Sequence, residues 1–386
     1  MKKLLLAVLL CAAPAFAQQP ILVGAAMPQS GILADIAADL RKALLLWQDE
    51  VNAGGGLLGR RVELLLLDDR SESSAIPKLY EQLIREHKAD LLIGPLGSAA
   101  SLGAAAVAER NRRVLINATG AARSVHRSGL RYVFQTVTPL SAYGAGPFEL
   151  AHGLAIKRVM LLSRDEPGAR EMAKLAQEGA AAAGLATGEV EIYAPGSTDF
   201  APQVARARAS GAEGWIAFGL SQDAAQMVRN FRRLGFAPRL FIAQGAADPD
   251  FIKRAGQDAE FAVGIAAYER RAATPGNAQF VVAYTKKWSA EPGYLAAEGY
   301  AAARVLEQAV RRAGSVETDK LRETLAALET ETPLGGYRVD RNGVQLAARP
   351  LLVQIIRGRR EIIWPEALAT AKAQPYPAWE ARKPLK

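Results

Sequence analysis

Leu91-Leu92-Ile93-Gly94-Pro95-Leu96-Gly97-Ser98-Ala99-Ala100-Ser101 passes from three apolar residues, through a Gly/Pro turn, into small residues that continue to Arg110. The apolar triplet reads as a strand buried on both faces, and Ser98–Arg110 reads as a helix. Another apolar run, Val114–Ile116, follows the helix at once. Strand, helix, strand in this order is the signature of a parallel sheet covered by helices on both faces.

The same alternation extends outward. Upstream, Ile21–Ala26 and Val62–Leu67 read as strands. Asp35–Ala53 reads as a helix with Leu40, Ala43, Leu44, Trp47 and Val51 at three-to-four spacing, stopped by Gly54-Gly55-Gly56. Ile76–Glu86 is a second helix, with Leu79, Leu83 and Ile84 inward and Pro77 tolerated in its first turn. Beyond about residue 137 the pattern begins again. Strands are expected at Val159–Leu162, Val190–Tyr193, Trp215–Phe218, Leu240–Ile242 and Ala262–Ala266, with helices at Ala169–Ala183, Ala201–Ala209 and Asp223–Leu234. Helices over Asn277–Ser289, Leu295–Ala313 and Asp319–Leu328 follow, then a hairpin of Leu351–Ile356 and Glu361–Trp364 around Arg357-Gly358-Arg359. The Pro- and Ala-rich tail after Pro365 is expected on the surface. The chain reads as α/β, with two doubly wound parallel-sheet lobes.

Residues 1–17 read as a signal peptide: Lys2 and Lys3, an apolar stretch over Leu4–Ala13, and the small-x-small site Ala15-Phe16-Ala17. The single cysteine, Cys11, lies inside it. Leu10 stands where a lipid-attachment motif wants Gly, Ala or Ser, which argues against a lipid anchor. Once the leader is removed, no disulfide, thiol nucleophile or cysteine metal site is available. No later run reaches the ~18 apolar residues of a spanning helix. The net charge of +9 is scattered among mixed helices. That is a solvated surface with a basic bias and does not suggest a nucleic-acid partner.

Several chemistries lack their residues. His87, His126 and His152 have no HExxH spacing, so no metal site is expected. Gly54–Arg61 lacks the Lys-Ser/Thr ending of a phosphate loop and follows a helix, and Met27–Gly31 is not GxGxxG. No cofactor is therefore expected. Gly219-Leu220-Ser221-Gln222-Asp223 sits where a hydrolase nucleophile elbow would, yet its second glycine is missing and no histidine lies downstream. Ser221 reads as a helix cap, and a secreted serine hydrolase remains the alternative from another class. Asp68-Asp69, at a strand end, reads as loop and helix-end chemistry.

The informative residues sit at two strand ends. The helix opening at Ser98 presents unpaired backbone N–H groups, which suit an anion, and Ser98 adds a hydroxyl that could meet a ligand or cap the helix. Asn117-Ala118-Thr119-Gly120-Ala121 follows the next strand. Adjacent strand ends of a parallel sheet share one edge, so the two turns can converge on one ligand.

A resemblance enters on a series of turns in order: Gly24–Gly31, Asp49-Glu50-Val51-Asn52-Ala53-Gly54-Gly55 through Leu58-Gly59-Arg60, Leu67-Asp68-Asp69, Ile93–Ser98, and Glu298-Gly299-Tyr300-Ala301-Ala302. Across nearly the whole mature chain these resemble the Leu/Ile/Val-binding protein family, the type I periplasmic binding proteins. The resemblance implies a protein that is not an enzyme: a monomer in the periplasm that delivers a small carboxylate, amino-acid or amide ligand to the membrane permease and ATPase of an ABC importer. A ligand-sensing receptor subunit is the alternative within this class. It also implies lobes of 18–137 plus 267–351 and 138–266 plus 352–386, with a three-crossing hinge near Thr136, Ala266 and Leu352.

The resemblance further assigns site residues. Ser98, beside Gly97, falls where the family places a serine on the ligand carboxylate. Thr119, with Gly120, falls at a backbone contact, and Ala121 where amino-acid binders have a threonine. Ile36 and Pro167 fall where aromatic walls are common, and Leu220 or Ser221 where a tyrosine is common. Gln244 falls where amino-acid binders place a glutamate against the α-ammonium. The carboxylate half is kept and the ammonium half is not. The expected ligand is thus an apolar or aromatic carboxylate, or an amide, ahead of an ordinary amino acid.

Overall fold

The computed structural model describes residues 19–126 and 129–382, so the signal peptide expected at 1–17, with Cys11, lies outside the described residues. The first sheet contains β1 (Ile21–Met27), β2 (Val62–Asp68), β3 (Leu91–Ile93), β4 (Leu115–Asn117) and β5 (Val133–Gln135), all parallel in the order β2-β1-β3-β4-β5. Its helices are α1 (Ala34–Ala53), α2 (Ile76–Arg85) and α3 (Ser98–Arg110). Strand side chains alternate between two cores. Ile21, Val23, Ala25, Leu91, Ile93 and Ile116 face α1, while Ala26, Leu92 and Leu115 face α2 and α3. Burial on both faces is why these strands are apolar without interruption.

The chain then enters a second sheet. After α4 (Ala145–Gly153) come β6 (Arg158–Arg164), α5 (Pro167–Ala182), β7 (Ala186–Thr187), β8 (Glu191–Tyr193), α6 (Ala201–Ser210), β9 (Gly214–Phe218), α7 (Ser221–Arg233), β10 (Leu240–Ala243), α8 (Pro249–Ala255) and β11 (Val263–Ala266). Strands β6 to β11 pair in parallel.

Next, α9 (Asn277–Trp288), α10 (Tyr294–Ala313) and α11 (Thr318–Ala327) return to the first sheet's core. Trp47 of α1 is fully buried there and donates its indole N–H to Glu307 of α10 (3.1 Å). The short hairpin β12 (Thr330–Thr332) and β13 (Gly335–Tyr337) leads to β14 (Leu351–Ile356) and β15 (Arg359–Trp364). These last two join the second sheet antiparallel, β14 against β11, so that sheet is mixed at one edge. Among the described residues no helix is long and apolar enough to cross a membrane.

Three expectations need correction. The helix expected from Asp223 begins at Ser221, with Leu220 in the capping position. The strand β5 and the helices α4 and α8 were not legible. The tail is not simply superficial: Tyr376 is buried among Phe231, Phe241 and Trp379, and Gln354 binds the Gln374 backbone through both ends of its amide.

Candidate functional site

On the first sheet, β3 and β4 are direct neighbours, so their following turns lie side by side. Thr119 locks them. Its hydroxyl donates to the Pro95 carbonyl (2.7 Å) and accepts the Gly97 N–H (2.8 Å), leaving the Thr119 side chain committed to scaffolding. Gly97 has φ +84°, a left-handed value that favours glycine, and no atom lies near the position a Cβ would take. Gly120 is required by crowding: a Cβ there would sit 2.6 Å from Ser101 Cβ and 2.7 Å from Asn117 Oδ1. The Asn117 amide holds this glycine from both sides, accepting its N–H and donating to its carbonyl (2.8 Å each).

Ser98 is the first residue of α3 and does not cap it, which corrects the capping alternative. Its hydroxyl instead accepts the Ala122 N–H (3.1 Å), across to the neighbouring turn. The Ser98 hydroxyl proton has no acceptor among the described residues. Half-buried Ala121 adjoins this arrangement. Gly97, Ser98, Thr119, Gly120 and Ala121 therefore come together at one sheet edge.

The loop before α1 is fastened by Asp68. Its carboxylate takes the Ser30 hydroxyl (2.6 Å) and the backbone N–H groups of Gln29 and Arg70. The Ser30 hydrogen bond and these backbone donors outweigh desolvation and hold its pKa down to about 2. Just beyond, Ile32 and Ile36 are exposed, Ile36 by 52%.

On the second sheet, Gly245 lets two turns touch: a Cβ there would lie 2.1 Å from the Leu220 carbonyl carbon and 2.3 Å from the Ser221 nitrogen. Leu220, Ser221 and Gln244 are thereby brought together beyond the ends of β9 and β10. Leu220 is 48% exposed, a large apolar side chain standing in solvent. Ser221 lies in the first turn of α7, so the reading of Ser221 as cap is also corrected. No hydrogen bond joins Ser221 to a histidine among the described residues. His126 is instead buried beside Asn117 (3.0 Å).

Beneath this turn lies a group that the sequence reading missed. Asp223 reaches back to accept the Leu220 N–H (2.9 Å) and pairs with Arg164 through both oxygens (3.0 and 3.1 Å). Arg164 Nε also meets Glu166 (2.7 Å), and the Tyr193 hydroxyl donates to the Phe218 carbonyl (3.2 Å). Arg164, Tyr193 and Asp223 are buried at the carboxyl edge of β6, β8 and β9. The available signal was a charged residue closing each of two apolar strands or turns.

Pro167 is exposed at the start of α5. Farther along that helix, Glu171 accepts the Arg123 backbone N–H (3.0 Å), and Glu178 lies 3.7 Å from the Arg123 guanidinium. Arg123 follows the Ala121 turn, so α5 of the second sheet touches the first sheet's site edge. The residues named from sequence thus form two groups on facing edges of two sheets.

A family model described as periplasmic binding protein matches residues 20–359. The chain belongs to the periplasmic binding protein family. A curated relative of this binding protein is the leucine-, isoleucine-, valine-, threonine- and alanine-binding protein of Pseudomonas aeruginosa, 22% identical over 331 residues, covering 85% of this chain and 87% of the relative. Among solved structures, a leucine binding protein from Thermotoga maritima is similar with a TM-score of 0.71 at 24% identity, covering 89% of this chain and 97% of that one. A solute binding protein of an ABC transporter from Rhodopseudomonas palustris, in complex with benzoate, has a TM-score of 0.69 at 20% identity, covering 94% and 98%. The structural likenesses establish the two-lobed α/β fold.

Proposed function

We propose that the protein is the periplasmic solute-binding component of an ABC importer of the branched-chain amino acid type, holding a small carboxylate-bearing ligand between lobes 18–137 plus 267–351 and 138–266 plus 352–386. The observation that carries this reading is Ser98. Its hydroxyl is fixed by the Ala122 N–H while its own proton is left to give, at the start of α3. A helix start with a free hydroxyl donor is suited to a carboxylate. The leader directs the chain to the periplasm, and a permease and ATPase receive the loaded form. Relatives named for branched-chain amino acids and one holding benzoate share the carboxylate as a common feature.

Two measurements test the reading. A thermal-shift screen of amino acids, amides, 2-keto acids and aromatic acids comes first, because ligand at 100 times its Kd adds about 2.7 kcal/mol of stability. With the ligand so found, Ser98→Ala is expected to weaken binding by about 1.5–3 kcal/mol, the range for a hydrogen bond to a charged group. That is roughly tenfold to a hundredfold in Kd. Calorimetry showing an unchanged Kd would return Ser98 to a purely structural role.

Binding between lobes also requires movement. The exposed Ile36 and Leu220 side chains gain burial only when the two edges approach. Solution scattering is expected to show a smaller radius of gyration at ligand saturation, by hinge closure. An unchanged radius would remove the closed form that a permease is proposed to recognise.

A further inference from the structure

The second turn of α10 carries a carboxyl group that neither the fold nor the proposed carboxylate pole uses. Glu298 is only 5% exposed, and it makes no hydrogen bond or ion pair with any described residue. One helical turn before it on the same face stands Tyr294, 52% exposed. From the turn over Leu140–Gly144, which follows the passage between sheets, comes buried Tyr143. The Glu298 charge acts on both tyrosine hydroxyls, and Tyr294 also feels Asp248, from the segment after Gln244 on the second sheet. Tyr143 packs into the second sheet's core while α10 packs into the first sheet's, so this electrostatic coupling spans the two lobes. The titratable groups facing it are Tyr143, Tyr294 and, beyond Tyr294, Asp248; no cation is among them.

We propose that Glu298, buried one helical turn from Tyr294 on α10, is the acceptor for an ammonium group of the bound ligand. The proposal rests on the reading of the cleft as the ligand site. An ammonium has three donors, and the two carboxylate oxygens together with a tyrosine hydroxyl offer three acceptors. A buried carboxyl with no partner is costly when ionised, and a ligand cation is the partner that removes that cost. Gln244 supplies only a neutral amide, so the charge comes from the opposite lobe. This replaces the expectation, drawn from Gln244 and Ala121, of a ligand without an ammonium group.

The arrangement makes binding proton-linked. Burial raises the pKa of Glu298 well above the ordinary carboxylate range, so the free protein keeps this proton to higher pH. An ammonium favours the ionised form, and the proton leaves to solvent as the ligand enters. Affinity for an amino acid then rises with pH up to the free-protein pKa of Glu298 and levels off above it. A keto acid held by protonated Glu298 shows the opposite slope.

The test is titration calorimetry on the mature protein, in two buffers of different ionisation enthalpy and at several pH values. The probes are the best of the twenty common amino acids by thermal shift, its 2-keto acid, and benzoate. The expected result is amino-acid binding with proton release, and binding of both acids at least tenfold weaker. Glu298→Gln is expected to weaken the amino acid at least tenfold and to abolish proton release. It should also raise the melting temperature of the free protein at neutral pH, because burial of the amide requires no proton uptake on folding; that reading shows the variant is folded. Amino-acid binding without proton exchange and insensitive to Glu298→Gln overturns the proposal, as does binding of an acid but of no amino acid. Either result leaves the cleft as a ligand site. If no probe binds, the ligand-site reading falls and this proposal with it.

Discussion

Replacing Asp223 with alanine is expected to destabilise the protein by about 3–5 kcal/mol, the cost of breaking a buried ion pair by removing one partner. Arg164 is 7% exposed and loses both hydrogen bonds to that carboxylate. Its remaining partner, Glu166, has a largely solvated side chain and compensates weakly. The Leu220 N–H loses its acceptor at the same time, so the start of α7 is held only by its backbone hydrogen bonds to the Leu220 carbonyl. Urea denaturation at neutral pH should show the loss as a lower midpoint with little change in slope. Asp223→Asn, which keeps an acceptor for Leu220, should lose less. A loss below about 1 kcal/mol, typical of exposed pairs, would mean that Arg164 can swing into solvent.

The second large effect is expected at Tyr376. Its ring lies 5.5 Å from Phe241 and 6.5 Å from Phe231 between centroids, and the Arg382 guanidinium stands 4.1 Å above it. Tyr376→Ala opens a cavity under the tail and should cost about 3–5 kcal/mol, as for other buried aromatic residues. The hydroxyl is a different matter. It is buried and has no hydrogen-bond partner among the described residues, so Tyr376→Phe should be neutral or slightly stabilising. Chemical denaturation of the two variants separates packing from polarity. Equal losses in both would contradict this account of the ring.

The strands and helices that repeat a simple alternation were legible because burial on both faces leaves a near-continuous apolar run. Leu91–Ile93 and Ser98–Arg110 have the boundaries read from sequence. Short edge elements were not. Strand β7, with two residues, has too little pattern to stand out. The tail lies largely on the surface, as its Pro and Ala content suggests, but that content gave no sign that Tyr376 is buried and fixes it to the core. At the site, Ser98 and Gly97 were visible because small residues at a strand-to-helix turn have few other reasons to cluster. Arg164 and Asp223 lie 59 residues apart, and only the adjacency of β6 and β9 brings them together. Glu298 was visible as part of a motif, but its isolation from any partner is a three-dimensional fact.

Both sheets are completed by chain that comes late. The core against β1 needs α9 and α10, some 250 residues onward, as the hydrogen bonds Trp47–Glu307 and Tyr300–Glu50 record. The second sheet waits for β14 to pair with β11, and its aromatic cluster for Tyr376. Neither lobe can close its core while the last part of the chain is still being synthesised. Contacts this distant in sequence also carry a large loop-closure entropy, which slows folding. A chain made in this order cannot complete either sheet's core until its last segments are available. Truncation just before β14 would accordingly damage the second sheet and spare the first sheet's core, and truncation before Asn277 would leave neither core intact.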